Sequence, residues 1–196
     1  MKTDIKILLF EDFETLDAMG PVEVFGELPQ SYQITCSSLS GGVISSSHNV
    51  SIVTQPITEA DDILLIPGGN GVRTLVNNEE YIASLRKLCE TAQHVLSVCT
   101  GSVLLAKTGL LEGRRATSYK VNFDWAASHG ENVAWQRCAR WTVDGKYRTS
   151  SGISAGIDMA LGFVSDMHNR ETALKIARNI EYVWNECMDN DPFAVN

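Results

Sequence analysis

Cysteine and histidine are scarce in this 196-residue chain, with five of the first and four of the second, and no two cysteines form a Cys-x-x-Cys pair. Cys36, Cys89, Cys99, Cys138 and Cys187 are odd in number and widely spaced. That argues against a disulfide framework or a zinc site and for a reducing, cytoplasmic compartment. No apolar run reaches membrane-spanning length, and the first ten residues lack the charged head, long apolar run and cleavage site of a secretory signal. Basic residues are also few. Sixteen Lys and Arg face 24 Asp and Glu, for a formal net charge of −8, which disfavours adhesion to phosphate backbones. The small basic clusters, Arg114-Arg115 and the Arg137 and Arg140 pair, read as a solvated turn and a solvated strand face. A Gly-x-x-x-x-Gly-Lys-Ser/Thr phosphate loop is missing, as are repeats, linkers and low-complexity tracts. The expected partner is therefore a small molecule, with no nucleic acid and no membrane.

What remains is the composition of an ordinary globular domain, 44% hydrophobic and 20% charged, long enough for one substantial core. One domain over 1–196 is expected. Short apolar runs at 5–10, 32–36, 63–66 and 94–98 are too brief for helices and read as buried strands. Helical patterns lie between them, one opening at Gly20-Pro21 and one over 79–92. Alternation of this kind implies a mainly parallel sheet with helices on both faces, an α/β sandwich with its sites at the carboxyl ends of the strands. Two small hairpins are expected as additions, 41–45 with 50–53, and 135–143 with 146–149 across Asp144-Gly145. Near the end of the chain Ala173, Ile176, Ala177, Ile180, Val183 and Trp184 share one face of a helix.

The most informative stretch is His94-Val95-Leu96-Ser97-Val98-Cys99-Thr100-Gly101-Ser102, an apolar strand that runs into a cysteine and leaves as a small-residue helix. A tight strand-to-helix turn there lifts Cys99 clear of the sheet edge. The N–H groups of the following helix are expected to favour the thiolate and lower its pKa. Taken alone, a cysteine is more often a buried core residue, and Cys89, which shares helical spacing with Ile82, Leu85 and Leu88, reads that way.

Three strand ends should converge with Cys99: the 12–20 loop with Asp12, Glu14 and Asp17, the Pro67-Gly68-Gly69-Asn70-Gly71 turn, and Cys99 itself. Gly68 and Asn70 are candidate substrate-binding residues. The N–H groups of Gly69 and Thr100 are candidate oxyanion donors. Asp17 has two readings, a cap for the Gly20-Pro21 helix or a carboxyl group beside the sulfur. Two negative charges in a dry pocket repel, so on the second reading Asp17 keeps its proton and serves as a general acid. Histidine offers one alternative without a motif behind it, a Cys-His pair through His129. His94 lies at the far end of the strand that Cys99 ends, roughly 16 Å away at about 3.3 Å per residue, and His48, His129 and His168 fall in a hairpin and near helix ends.

These residues resemble the ThiJ/PfpI superfamily, relatives of the class I glutamine amidotransferases. The resemblance runs through Leu16-Asp17-x-x-Gly20-Pro21-x-Glu23-Val24-Phe25, Ile66-Pro67-Gly68-Gly69-x-Gly71, Val98-Cys99-Thr100-Gly101-Ser102, Gly109-Leu110-Leu111-x-Gly113-Arg114-x-Ala116-Thr117 and Gly152-Ile153-x-Ala155-Gly156-x-Asp158. Leu-Asp-x-x-Gly-Pro combined with Cys-Thr-Gly is most similar to isocyanide hydratase and to the amidase-like sensor domains of AraC-type regulators. The resemblance implies a flavodoxin-like sandwich, usually dimeric and without a cofactor or metal, with Cys99 as nucleophile, Asp17 as its acidic partner and Thr100 beside them. Trp184, Phe193 and the late helix are the apolar surface expected to serve a homodimer. Thr100 stands where the proteolytic members carry histidine, and Ser118-Tyr119 replaces the His-Trp of many hydratase relatives, which makes Tyr119 a candidate pocket wall. Asp158 is expected in the first turn of a helix, stabilised by its dipole. The function implied is a cysteine-dependent hydratase or hydrolase of a small electrophilic carbon, with a redox or ligand sensor and an amidase-, protease- or glyoxalase-type enzyme as alternatives. DNA binding is not expected, because no helix-turn-helix region follows.

Overall fold

The computed structural model describes residues 2–194, so the two ends of the expected 1–196 domain lie outside the described residues. Strands β1 (Thr3–Leu8), β2 (Tyr32–Ser38), β3 (Gly42–Ser45), β4 (Ser51–Pro56), β5 (Ile63–Ile66), β6 (His94–Val98), β9 (Trp141–Asp144) and β10 (Tyr147–Ser150) form one sheet in the order β3-β4-β2-β1-β5-β6-β10-β9. A separate pair joins β7 (Arg115–Ala116) to β8 (Ala134–Trp135). The helices are α1 (Thr15–Gly26), α2 (Val72–Leu75), α3 (Glu79–Thr91), α4 (Gly101–Lys107), α5 (Phe123–Ala127), α6 (Ala155–Met167) and α7 (Arg170–Asn179).

The pairs β2-β1, β1-β5, β5-β6 and β6-β10 are parallel, and β3-β4 and β9-β10 are the antiparallel hairpins. All four residues of β5 are buried, as a strand covered on both faces requires. The chain winds one way from β1 to β2 and the other way from β1 to β5. Crevices for ligands open at such a switch point, beyond the carboxyl ends of the strands. There the loop after β1 is tied down by Phe13, which is fully buried and bridges both Ser46 and Gly69.

Several expectations need correction. The first helix begins at Thr15, not at Gly20-Pro21, so Pro21 sits inside it and Asp17 lies in its first turn. Pro21 has no N–H to donate to the Asp17 carbonyl four residues back, a local loss that the packed surroundings tolerate. A Cβ on Gly20 would stand 2.8 Å from Ile157 Cγ1, a closeness that brings α1 hard against α6. The 135–143 run is split. Ala134 and Trp135 pair with β7, and the hairpin strand starts only at Trp141, with Gly145 at φ 59 opening its turn. The last helix stops at Asn179, because Glu181 takes φ 51 and turns the chain away. Val183 is therefore 91% exposed. Trp184 instead tucks back, its Nε1–H donating to the Asp158 carbonyl at 3.2 Å.

The expected solvated face at Arg140 is also wrong. Arg140 is 4% exposed, with Nε donating to Asp158 Oδ2 at 2.9 Å and Nη1 3.5 Å from Asp191. Asp158 does lie in the first turn of α6, yet its partners are Arg140 and the Asn185 N–H at 3.0 Å, more specific than a helix dipole. This buried ion group pins the chain beyond α7 onto the sandwich.

Candidate active site

Cys99 follows β6 directly and adopts φ 57, a left-handed conformation that a cysteine takes only when its surroundings impose it. The surroundings are visible. Its N–H points at the carbonyls of Ser150 and Ser151, both at 3.2 Å, and its carbonyl accepts from Ser102 Oγ at 2.9 Å and Ser118 Oγ at 3.1 Å. Gly101 makes the turn possible, since a Cβ there would meet the Pro67 carbonyl oxygen at 2.8 Å. This is the strand-to-helix elbow the sequence implies.

Asp17 approaches from α1. It is fully buried, and its Oδ2 accepts the Gly68 N–H at 2.9 Å. Nothing in its own helix binds the carboxyl group, which removes the capping reading. The other oxygen, Oδ1, has no partner among nitrogen and oxygen atoms, and the Cys99 thiol is the neighbour it can bond. A buried carboxyl oxygen without a partner is costly when charged. Burial accordingly pushes Asp17 well above the usual carboxylate range, only partly opposed by the Gly68 N–H, with Glu14 adding to the rise. The upward direction expected for Asp17 thus has its cause chiefly in desolvation.

The low pKa expected for Cys99 is not found. Burial, and then the charge of Asp17, push the Cys99 thiol well above its ordinary value, opposed by the N–H and hydroxyl of Thr100. Helix α4 has seven residues, and its N-terminal field does not outweigh loss of water around a side chain only 5% exposed. Cys99 and Asp17 therefore behave as one buried acid pair that holds its protons tightly.

The oxyanion arrangement differs as well. The Gly69 N–H donates to Thr100 Oγ1 at 3.1 Å, so it is committed to a side chain rather than open to a substrate. Gly68 is committed to Asp17 and packs against Thr100, leaving no room for a side chain: a Cβ would lie 2.6 Å from Thr100 N. Of the two expected donors, the Thr100 N–H remains, directed at the sulfur.

A cavity of about 170 Å³ opens over Cys99, Thr100, Gly69 and Asn70, so four of the six residues singled out in the sequence share it, and Asp17 and Gly68 lie just behind. Glu14, Arg73, Tyr119, Asn122, Trp125 and Ile153 complete the wall. Tyr119 was foreseen, and Gly152 makes room for its ring. Glu14 stood in the acidic loop without a role, three residues before Asp17. Arg73, Asn122, Trp125 and Ile153 carry no local motif, and only the folded chain brings them to the pocket. His129 packs edge-on against Trp125 and does not line the cavity, so a Cys-His pair through it is absent. His48 reaches the loop from the β3-β4 turn, its Nδ1 3.0 Å from Thr15 Oγ1 and 3.6 Å from Glu14 Oε1. A larger hollow of about 510 Å³ beside α3 is lined by Ile57, Tyr81 and Leu88 and contains no cysteine. Among the described residues no group of three or more His, Cys, Asp or Glu side chains is gathered to hold a metal ion.

A strained cysteine at the mouth of a flavodoxin-like sandwich, with a buried carboxylic acid behind it, defines a class of nucleophile-elbow proteins. The chain belongs to the DJ-1/PfpI family, whose pattern matches residues 3–166. It is 31% identical over 187 residues to an isonitrile hydratase of Pseudomonas putida, covering 93% of this chain and 79% of that one. It is 27% identical to the HTH-type transcriptional regulator CdhR of Pseudomonas aeruginosa, covering 90% of this chain and 54% of the regulator. Among solved structures, a THiJ/PfpI family protein from Pseudomonas syringae superposes with a TM-score of 0.82 at 27% identity, over 98% of this chain and 77% of that one. No helix is long and apolar enough to cross a membrane among the described residues.

Proposed function

We propose that this chain is a cysteine-dependent hydratase of a small electrophilic carbon, and that an isocyanide is hydrated to an N-formamide. The observation that carries the reading is the Asp17 carboxyl group, buried, anchored on Gly68 N–H through one oxygen and left unpartnered at the other beside Cys99. The similarity to an isonitrile hydratase supports the choice of substrate.

The reactive form of the pair has lost one proton: sulfur is the thiolate, held by the Thr100 N–H and hydroxyl, and Asp17 stays neutral because two adjacent anions are unfavourable. The sulfur forms a bond to the terminal isocyanide carbon, and the Asp17 proton moves to that carbon, giving a neutral thioimidate and an Asp17 carboxylate. Water then adds across the carbon–nitrogen double bond. Asp17 takes a proton from the water as its oxygen bonds to carbon, and returns that proton to nitrogen. Collapse breaks the carbon–sulfur bond, the hydroxyl proton passes to Asp17, and the N-formamide leaves with thiolate and acid restored. Thr100 orients the water, and its N–H stabilises charge on sulfur. The chemistry calls for no metal or organic cofactor.

The test is turnover of a panel of isocyanides, small amides and 2-oxoaldehydes by the wild type and by Cys99→Ser. Isocyanide hydration that falls by about a thousandfold or more in Cys99→Ser supports the nucleophile; full turnover by that variant rejects it.

A second reading, a ligand or redox sensor, is favoured by the match to a transcriptional regulator over half of its length. Ligand-dependent protection of Cys99 without turnover of any panel member would select it. We also infer one domain, a homodimer and a cytoplasmic setting. With Trp184 turned inward, the exposed apolar side chains of the surface expected for self-association are Val183 and Phe193, 91% and 67% exposed, and light scattering that gives a monomer at micromolar concentration removes the dimer.

A further inference from the structure

The pocket over Cys99 carries more polar capacity than hydration of a bare isocyanide requires. We propose that it recognises a carboxylate on the substrate, that Arg73 is the specificity-determining residue, and that the substrate class is small electrophiles bearing a carboxylate. The proposal rests on the reading of Cys99 as the attacking group.

Arg73 lies on α2 and lines the cavity, its guanidinium carbon 4.8 Å from the centroid of the Trp125 ring, which lines the same cavity. Stacking occupies the flat face of a guanidinium and leaves its edge N–H groups to be used in the plane. They are unused. Among the described residues Arg73 and Arg178 make no ion pair and no side-chain hydrogen bond, whereas Arg86, Arg114, Arg137, Arg140, Arg148 and Arg170 each donate to a carboxylate, and of the two unpaired guanidinium groups Arg73 is the one that lines the cavity. In a chain of net charge −8, acidic partners are plentiful, so an oriented guanidinium without one, at the cavity that holds the nucleophile, is fitted for an acid from outside. Asn70 and Asn122, whose side chains make no hydrogen bond among the described residues, line the same cavity and supply neutral donors.

Glu14 gives the recognition a direction. Its carboxylate also lines the cavity, yet its partner is His48 at 3.6 Å and not Arg73, and its charge is felt at Asp17 and Tyr119. A substrate carboxylate is repelled from the Glu14 side and drawn to the Trp125 side, which leaves the electrophilic end for Cys99. A volume of about 170 Å³ restricts the ligand to a small molecule.

The experiment compares two alkylating reagents of nearly equal size, iodoacetate and iodoacetamide, with the Cys99 peptide followed by mass spectrometry so that the other cysteines do not interfere. The ratio of their rates at Cys99, divided by the same ratio at N-acetylcysteine, is expected to exceed unity by about tenfold. Arg73→Gln should bring it to the free-thiol value, and Arg73→Lys should retain part of it. A wild-type ratio at the free-thiol value, or one unchanged in Arg73→Gln, overturns the proposal. A second measurement does not depend on sulfur chemistry: in Cys99→Ser protein the Trp125 indole N–H signal is followed while isocyanoacetate or its methyl ester is titrated. Saturable response to the acid alone, lost on Arg73→Gln, supports the proposal, and equal responses to acid and ester overturn it. Failure of all turnover with this selectivity intact would instead reject the hydratase reading.

Discussion

Asp17 and Asp158 are two fully buried aspartates, each in the first turn of a helix, and each lifted above the usual carboxylate range first of all by burial. They differ in what faces them. Asp158 meets the Arg140 guanidinium, the Asn185 N–H and, through Arg140, Asp191, so its charge is answered on every side and it closes the C-terminal segment onto the fold. Asp17 meets one backbone N–H and a thiol, and no cation. Burial with a counter-charge makes a structural clamp; burial without one makes an acid that holds a proton where chemistry can use it.

The largest effect separating the two is on stability. Asp158→Ala strands a buried arginine and should lower the unfolding free energy by about 3–5 kcal/mol, read by denaturant titration. A loss under about 1 kcal/mol would mean that Arg140 finds water or Asp191 sufficient. Asp17→Asn should behave in the opposite manner, with turnover falling roughly a hundredfold while the fold stays intact.

The pH dependence sharpens this. Asp17 has a folded pKa above its unfolded one, so the native state binds the extra proton; its contribution is fully present below about pH 4 and is lost as pH rises toward the folded value. Asp17→Asn removes that decline, and its stability curve should run flatter than wild type above pH 4. A wild-type slope that persists in Asp17→Asn would assign it to another group.

Gly68→Ala probes the geometry between the partners. A Cβ there meets Thr100 Oγ1 at 2.5 Å and Asp17 Oδ2 at 2.9 Å, and the displaced pair should cost roughly tenfold to a hundredfold in kcat with KM less affected. Unchanged kcat would show that Thr100 and Asp17 need no fixed spacing. The smallest effect belongs to the solvent-facing ion pair of Arg170 with Glu186 at 2.6 Å, where Arg170→Ala should leave the melting midpoint within error.

How much of this was legible beforehand follows the range of the interactions. β5 and β6 match their apolar runs residue for residue, because a strand buried on both faces announces itself locally. The convergence of Cys99, Thr100 and the glycine turn was equally legible, each following a strand end where the topology must bring them together, with Asp17 in the first turn of the helix that follows β1. The start of α1 was not, since Pro21 reads as an opening residue and only packing against α6 holds it within the helix. The burial of Arg140 depends on Asp158 and Asp191, far along the chain, and the pocket role of Arg73 depends on Trp125, which nothing in its own neighbourhood announces. The expected lowering of the Cys99 pKa failed for a reason of magnitude: desolvation of a buried sulfur outweighs the field of a seven-residue helix.

The central claim, that Cys99 and Asp17 form one acid pair, is tested most directly by the pH dependence of Cys99 alkylation with iodoacetamide in wild type and Asp17→Asn. In the reactive form Asp17 is neutral and its O–H donates to the thiolate, and asparagine offers only a weaker amide donor, so the alkylation midpoint should move to higher pH in Asp17→Asn. A midpoint that stays in place would contradict the coupling and leave Cys99 acting without Asp17.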